Sequence, residues 1–133
     1  MKQYLTASAG IFGAAISAAF GGWTTGMTTL LIFMGIDYLT GLLVAGVFHA
    51  SPKSESGSLE SRAGWKGLCR KGVTLLIVLI ASRIDLTLGT TYFRDGTCIA
   101  FIANELLSIT ENAGLMGIPL PEIISKAIEA LKE

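Results

Sequence analysis

The chain has 133 residues, of which 51% are hydrophobic and 15% charged, and its mean hydropathy is +0.61. A water-soluble domain of this size covers its surface with polar groups, and so few charged residues leave long tracts with nothing to face water. The composition therefore excludes an ordinary soluble domain and indicates a membrane protein. Basic and acidic residues balance at ten each, so no overall positive charge favours a nucleic-acid partner.

Two N-terminal tracts predict a pair of membrane-spanning helices. A helix that crosses the roughly 30 Å hydrocarbon layer needs about 20 mostly apolar residues. Residues 25–48 meet this requirement with a single charge, Asp37, while residues 5–22 are uncharged but rich in glycine, alanine and serine. The first tract is the weaker candidate for a membrane span. A cleaved signal peptide over residues 1–20 is an alternative, because Lys2 precedes the apolar tract and small residues lie near Ala18.

The third tract is too short by itself, because its apolar run, 72–82, has 11 residues. It reaches a full span if it extends toward its N-terminal side over 65–83, with two basic side chains reaching the membrane surface. The alternative is a continuation to about Thr91, which carries Arg83 and Asp85 into the membrane at a higher cost. On the first interpretation these two residues lie at the outer interface.

The fourth predicted span, 95–114, is apolar at its centre except for Asn104 and Glu105. Residues 50–63 are rich in Pro, Gly and Ser and predict a loop, and residues 121–133 place an apolar stripe opposite a charged one. The predicted fold is a single all-α integral membrane domain. It has three to four transmembrane helices arranged as two hairpins, plus a short C-terminal amphipathic helix.

Basic residues are distributed unevenly about these spans. If all four tracts cross, eight basic residues share the side of the central loop and both termini, and two lie on the other side. The positive-inside rule then places the loop and the C-terminus in the cytoplasm. If the first tract does not cross, only the N-terminus changes side. Four basic residues beside the loop are expected to fix this topology and to contact anionic lipid: Arg62, Lys66, Arg70 and Lys71.

The sequence has no pattern typical of a catalytic, cofactor or metal site, and its two cysteines have no metal-ligand spacing, so we expect a protein that is not an enzyme. The functional candidates are polar residues inside the spans, namely Asp37, Asn104 and Glu105. A charged side chain at the bilayer centre costs about 2.5–3.5 kcal/mol, so these groups should face protein or water. Whether they bond neighbouring helices or line a water-filled assembly stays open.

The first span also has a surface of small residues at four-residue spacing. Such a surface lets helix backbones approach closely, and association then follows from packing rather than from hydrophobicity. We expect this helix to pack against other copies of the chain through Gly10, Gly13, Ala14, Ser17, Ala18 and Gly21.

Several blocks of the sequence together resemble a known family. They are Gly21-Gly22-Trp23, the Asp-Tyr-x-Thr-Gly block that starts at Asp37, GWKGLCRK at 64–71 and the Ala-Asn-Glu-x-x-Ser-Ile-x-Glu-Asn block at 103–112. Over nearly the whole chain they resemble the phage holin family, which includes the toxin-secretion and lysis holins of Gram-positive bacteria and their phages. Thr24 departs from the pattern, in which an acidic residue is expected.

The resemblance implies a small phage membrane protein that oligomerises in the cytoplasmic membrane. It opens lesions that release an endolysin, or a toxin-like protein, and so causes timed host lysis. Its partners would be other copies of itself, the bilayer and, functionally, an endolysin. We hypothesise that separate monomers hide Asp37, Asn104 and Glu105 against one another until the assembly opens. The alternatives are an antiholin that regulates a partner holin, and a small ion-transport subunit.

Overall fold

The computed structural model describes the backbone of residues 1–132 and the side chains of residues 1–130. All regular secondary structure in this part of the chain is helical, which confirms the all-α prediction. Glu133 and the side chains of the two residues before it, which end the predicted amphipathic helix, lie outside the described part. The helices are α1 (Lys2–Ala19), α2 (Thr25–Gly46), α3 (Ser61–Leu88), α4 (Tyr92–Leu115) and α5 (Glu122–Lys132).

Local sequence signals account for the tight connections between these helices. Gly21 and Gly22 have φ angles of 75° and 98° between α1 and α2, and Gly89 has a φ of 70° directly after α3. Glycine adopts these left-handed conformations without the steric cost that a side chain would add. The hydroxyl of Thr24 accepts a hydrogen bond from the backbone N–H of Met27 and so caps the start of α2.

The third tract forms one continuous helix of 28 residues. At 1.5 Å per residue its length is about 42 Å, which exceeds the hydrocarbon thickness of about 30 Å. It therefore covers the extension toward the N-terminal side and most of the alternative one, which was expected to reach about Thr91, because α3 ends at Leu88.

The helices pack along seams with the spacing of a coiled coil. The buried residues of α2 include Met27, Leu30, Met34 and Asp37, at intervals of three, four and three. The buried residues of α4 lie seven apart: Cys98, Glu105 and Asn112. Intervals of this kind keep one face of each helix turned toward its neighbour. Helix α4 packs most extensively on α2 and next on α3, so it lies at the centre of the bundle.

The two ends of the bundle differ in character. Near the α3–α4 turn lies a buried apolar core, which consists of Met27, Leu30, Met34, Val78 and Cys98. Toward the loop between α2 and α3, the same seams bury the polar residues Asp37, Glu105 and Asn112 beside the apolar Val44 and Ala45. The main candidate functional site is therefore this group of buried polar residues in the loop half of the bundle.

The outer surface of the bundle is strongly apolar. Ile32 and Leu39 on α2, Leu76 and Ile80 on α3, and Ile99 on α4 are each more than half exposed. Helix α1 buries none of its residues in this chain. An exposed apolar surface on every long helix is unfavourable in water and favourable in lipid.

The prediction of three to four spans is supported by length and composition for one helix only. Among the described residues, Thr25–Gly46 alone is long and apolar enough to cross a membrane. The other long helices differ because α3 carries six charged residues, α4 carries four, and α1 consists largely of small residues. About 28% of the most apolar stretch of α2 is buried, so this helix also differs from the buried core helix of a soluble protein.

Candidate functional site

A buried ionic cluster joins the three central helices. The ammonium Nζ of Lys71 on α3 lies 2.7 Å from Oδ2 of Asp37 on α2 and 2.8 Å from Oε2 of Glu105 on α4. Both carboxylates are buried, with 5% and 8% of their residues' surface exposed. One cation thus holds two acids that lie 68 positions apart in sequence. Because the three groups meet at only one register, the cluster specifies how α2, α3 and α4 are aligned.

Asn112 extends this cluster by about two turns along α4. Its side-chain amide donates to Oδ1 and to the backbone oxygen of Asp37, both at 3.2 Å, and to the hydroxyl of Thr40 at 2.8 Å. Asn112 is buried, so these bonds satisfy an amide that has no access to water. They also fix the Asp37 carboxylate, which now accepts hydrogen bonds at both oxygens.

The cluster forms the inner end of a cavity of about 520 Å³ that opens toward the loop. Tyr38 closes one wall, since its hydroxyl donates to the backbone oxygen of Gly64 at 3.3 Å. A Cβ at Gly64 would lie 3.3 Å from the tyrosine oxygen, so a larger residue at this position would require the tyrosine side chain to shift. The outer part of the cavity is lined by exposed charged residues, among them Lys53, Lys66, Arg70 and Glu111.

Two of the three predicted polar candidates are buried in the cluster, and the third is exposed. Asp37 and Glu105 come together within a single chain, whereas the hypothesis placed such contacts between separate monomers. Asn104, one position before Glu105, is exposed and lines the cavity. Neighbouring residues on a helix point about 100° apart, so one of the pair faces the seam and the other does not.

Lys71 corrects the expectation for the basic residues beside the loop. It was predicted to extend to the membrane surface and contact lipid, but it points inward because the two carboxylates attract it there. The other three residues of that group, Arg62, Lys66 and Arg70, are exposed on α3. Their role in topology and lipid contact stays a prediction.

A second polar site lies at the α3–α4 turn, beyond the predicted span 65–83. Asp85 is buried there and accepts hydrogen bonds from the hydroxyl of Thr90 at 2.6 Å and from the backbone N–H groups of Phe93 and Arg94. Burial acts to raise the pKa of Asp85, but these hydrogen bonds outweigh it and hold the pKa below its ordinary value. Asp85 therefore caps α4, and its position at the outer interface stays a prediction.

Two arginines connect the end of α1 to this turn. The guanidinium of Arg83 donates to the backbone oxygen of Ala19 at 3.3 Å, and that of Arg94 donates to Phe20 at 3.2 Å and to Gly22 at 3.5 Å. Carbonyl groups at a helix C-terminus have no partner within the helix and carry partial negative charge, which cations stabilise. Helix α1 is thus held at its C-terminal end.

The rest of α1 leaves the predicted packing surface open. Ser17 is half-buried, and the other predicted positions are exposed, with no atom within 4 Å of a Cβ placed at Gly10 or Gly13. Gly21 is the exception, because a Cβ there would lie 3.1 Å from Leu86. The contacts that were predicted for this surface are therefore not made within one chain.

Sequence reasoning missed Asn112 and Asp85 as parts of the polar sites. Asn112 lies in the conspicuous block 103–112, and its distance of seven residues from Glu105 is a signal that both share a face. The sequence gives less indication that Asp85 is buried, since an acid shortly before a glycine turn can also face water. Nothing in the sequence distinguishes Lys71 from the adjacent Arg70 as the residue that faces the bundle.

Comparisons with known proteins give a consistent result. The profile of the bacteriophage holin family matches residues 14–133. An uncharacterised protein from Halalkalibacterium halodurans is 38% identical, over 99% of this chain and 96% of its own length. An uncharacterised 14.9 kDa protein from Clostridium perfringens is 36% identical, over 84% of this chain and 80% of its own length. A protein named probable holin from Bacillus phage phi105 is 33% identical, over 77% of this chain and 71% of its own length. No solved structure matches.

The matched region contains all four blocks that suggested the family, and three of them supply the buried cluster, with Lys71 coming from the block at 64–71. Asp37 and Thr40 come from the block that starts at Asp37, and Glu105 and Asn112 from the block at 103–112. The resemblance is confirmed by the family match over most of the chain and by the similarity to a phage protein named as a holin. This chain belongs to the bacteriophage holin family.

Proposed function

We propose that this protein is a holin that oligomerises in the cytoplasmic membrane and opens lesions through which an endolysin, or a toxin-like protein, leaves the cell. Membership of a family of non-enzymatic membrane-pore proteins supports a membrane location and a role in lysis. The observation that carries the proposal is an ionic cluster buried inside a helical bundle whose outer surface is apolar. Such a molecule suits a lipid surrounding and contains groups that are able to face water.

The proposed membrane arrangement follows from the surface and the charges. Helices α1 to α4 cross as two hairpins, and the exposed apolar side chains on them contact lipid. The loop between α2 and α3 and helix α5 lie in the cytoplasm, because eight of ten basic residues fall on that side. Charged ends of α3 extend toward the headgroups, which its length of about 42 Å allows.

The closed state hides polar groups within each chain. Asp37 and Glu105 both pair with Lys71 between α2, α3 and α4, so a single copy can stay in the bilayer without exposing these charged groups to lipid. Burial of an ion cluster removes its water, and attraction between the charges only partly offsets this loss. Rearrangement of many copies around a wet lesion would restore that hydration, and the cluster thereby favours opening.

Helix α1 supplies the proposed contact between copies. It is held to the bundle at its C-terminal end, and its small-residue surface is open along the rest of its length. Small residues allow two such helices to approach closely in lipid, where hydrophobicity gives no driving force. Close packing of α1 between neighbouring chains is therefore the proposed route to the oligomer.

The decisive experiment expresses this chain alone in a bacterial host that contains a cytosolic reporter enzyme and a cytosolic endolysin without an export signal. A holin is expected to give an abrupt loss of membrane potential, release of the reporter and lysis. Expression of the endolysin alone is the control. Loss of potential without reporter release would instead indicate an ion-transport subunit. Normal growth, together with delayed lysis when a second holin is present, would indicate an antiholin.

A further inference from the structure

The buried cluster contains more negative than positive charge. Asp37 and Glu105 bring two carboxylates to one ammonium, that of Lys71. Uncompensated charge is expensive at so buried a position, and two carboxylates that share one site do not readily ionise together. One further positive charge would make the cluster neutral.

The hydrogen bonds indicate where that charge belongs. Asp37 accepts from two different donors, Lys71 Nζ at 2.7 Å on Oδ2 and Asn112 Nδ2 at 3.2 Å on Oδ1. Both oxygens of Glu105 accept from the same ammonium, at 3.1 and 2.8 Å. A proton on Glu105 therefore costs the cluster fewer hydrogen bonds than a proton on Asp37.

The cavity of about 520 Å³ gives such a proton a way in from the loop side. It is wide enough to admit water as far as the cluster. Charged and titratable groups face it from every element that lines it, and the described side chains of α5, up to residue 130, are not among the lining residues. These groups are Asp37 and Tyr38 from α2, Lys66, Arg70 and Lys71 from α3, Glu105 and Glu111 from α4, and Lys53 and Glu60 from the loop region.

We propose that Glu105 is a proton-binding site, at which one proton from water on the loop side neutralises the cluster in the closed bundle. When the bundle opens and the carboxyl group becomes hydrated, the proton passes to water and Glu105 ionises. Because the closed state is the one that binds the proton, the contribution of this proton to stability is complete at low pH and is lost as pH rises. The effect on lesion opening rests on the proposed function, but the proton binding itself does not.

The test is infrared spectroscopy of the full chain in lipid nanodiscs, titrated from acidic to alkaline pH. The expected result is a carbonyl band of a protonated carboxylic acid that is present at neutral pH and disappears at alkaline pH. Labelling of all glutamates with ¹³C at the side-chain carboxyl should shift this band, whereas the same label in aspartate should not. This labelling needs no variant and so does not depend on how a variant folds. Absence of the band at neutral pH, or a band that shifts with labelled aspartate, would overturn the proposal.

A pair of variants assigns the band to one residue. Glu105→Gln should remove it and make thermal unfolding in detergent less dependent on pH. Glu111→Gln, which changes an exposed carboxylate on the same helix and in the same cavity, should leave both unchanged. Replacement of sodium by choline should also leave the titration unchanged, and a titration that depends on sodium would show a metal-cation site instead.

Discussion

At the scale of single residues, Lys71 is the side chain on which the buried cluster depends. Its ammonium contacts both Asp37 and Glu105, and its own side chain is 17% exposed. Removal of one partner from a buried ion cluster typically costs about 3–5 kcal/mol, because the remaining charge stays buried without compensation. Lys71→Met is therefore expected to lower the free energy of unfolding of the purified protein by roughly this amount. The measurement is thermal unfolding in detergent, followed by circular dichroism.

The adjacent residue provides the control for this prediction. Arg70 is also basic and lies on the same helix, but it is exposed and makes no ion pair among the described side chains. Arg70→Met should change the stability by no more than about 0.5 kcal/mol. If both variants lose the same free energy of unfolding, the stability depends on positive charge at the start of α3 and not on the buried cluster.

This pair also shows how far sequence reasoning reaches at single residues. Asp37 and Glu105 could be predicted as functional candidates, because an acid in an apolar tract must find a partner. The identity of the partner could not be predicted. Lys71 and Arg70 are adjacent and similarly charged, and which of them faces the bundle depends on the rotation of α3 against its neighbours. That rotation is set by the packing of three helices, which local sequence does not contain.

At the scale of helices, Asp85 determines where α4 begins. It accepts hydrogen bonds from the backbone N–H groups of Phe93 and Arg94, which have no partner within their own helix. Asp85→Ala should leave these two amides without an acceptor and unravel the first turn of α4. The expected result is faster hydrogen exchange at the amides of Phe93 and Arg94, measured by NMR or mass spectrometry in detergent.

Asp95→Asn is the matched control, since Asp95 is an exposed acid in the same helical turn that approaches the Arg94 side chain at 3.5 Å. It should leave exchange at these amides unchanged. Equal acceleration in both variants would mean that negative charge near the turn protects the amides and that the cap itself does not.

The helices themselves could be predicted better than their ends and their partners. Apolar tracts located α2 and the centre of α3, because burial in lipid or protein requires such tracts. The full extent of α3, Ser61–Leu88, could not be predicted, since both ends of the helix extend past the predicted span 65–83. Tyr38 packs against Gly64 and Gly67 at the start of α3, and this contact joins residues far apart in sequence.

At the scale of the whole molecule, the chain divides into a closed bundle and an open helix. Helices α2 to α4 join the polar groups of Asp37, Lys71, Glu105 and Asn112 to one another, whereas α1 makes few contacts within the chain. The mechanism that was hypothesised from the sequence placed the acids between copies, and the spacing of small residues placed α1 there as well. The structure joins Asp37 and Glu105 within one chain through Lys71, whereas packing of α1 between copies stays a prediction.

The open helix permits a test of assembly that leaves the fold of one chain intact. A side chain at Gly13 meets no atom within 4 Å, and Gly13→Leu also raises helix propensity, so the substitution costs nothing within the chain. Between closely packed copies of α1 it would force the backbones apart. We expect Gly13→Leu to reduce cross-linked oligomers in membranes and to delay lysis at equal protein levels.

Gly35→Leu on α2 is the control. A side chain at Gly35 also meets no atom within 4 Å, and this substitution should change neither the oligomers nor the time of lysis. If Gly13→Leu forms as many oligomers as the wild type and lyses the cells at the same time, α1 does not form the proposed contact between copies.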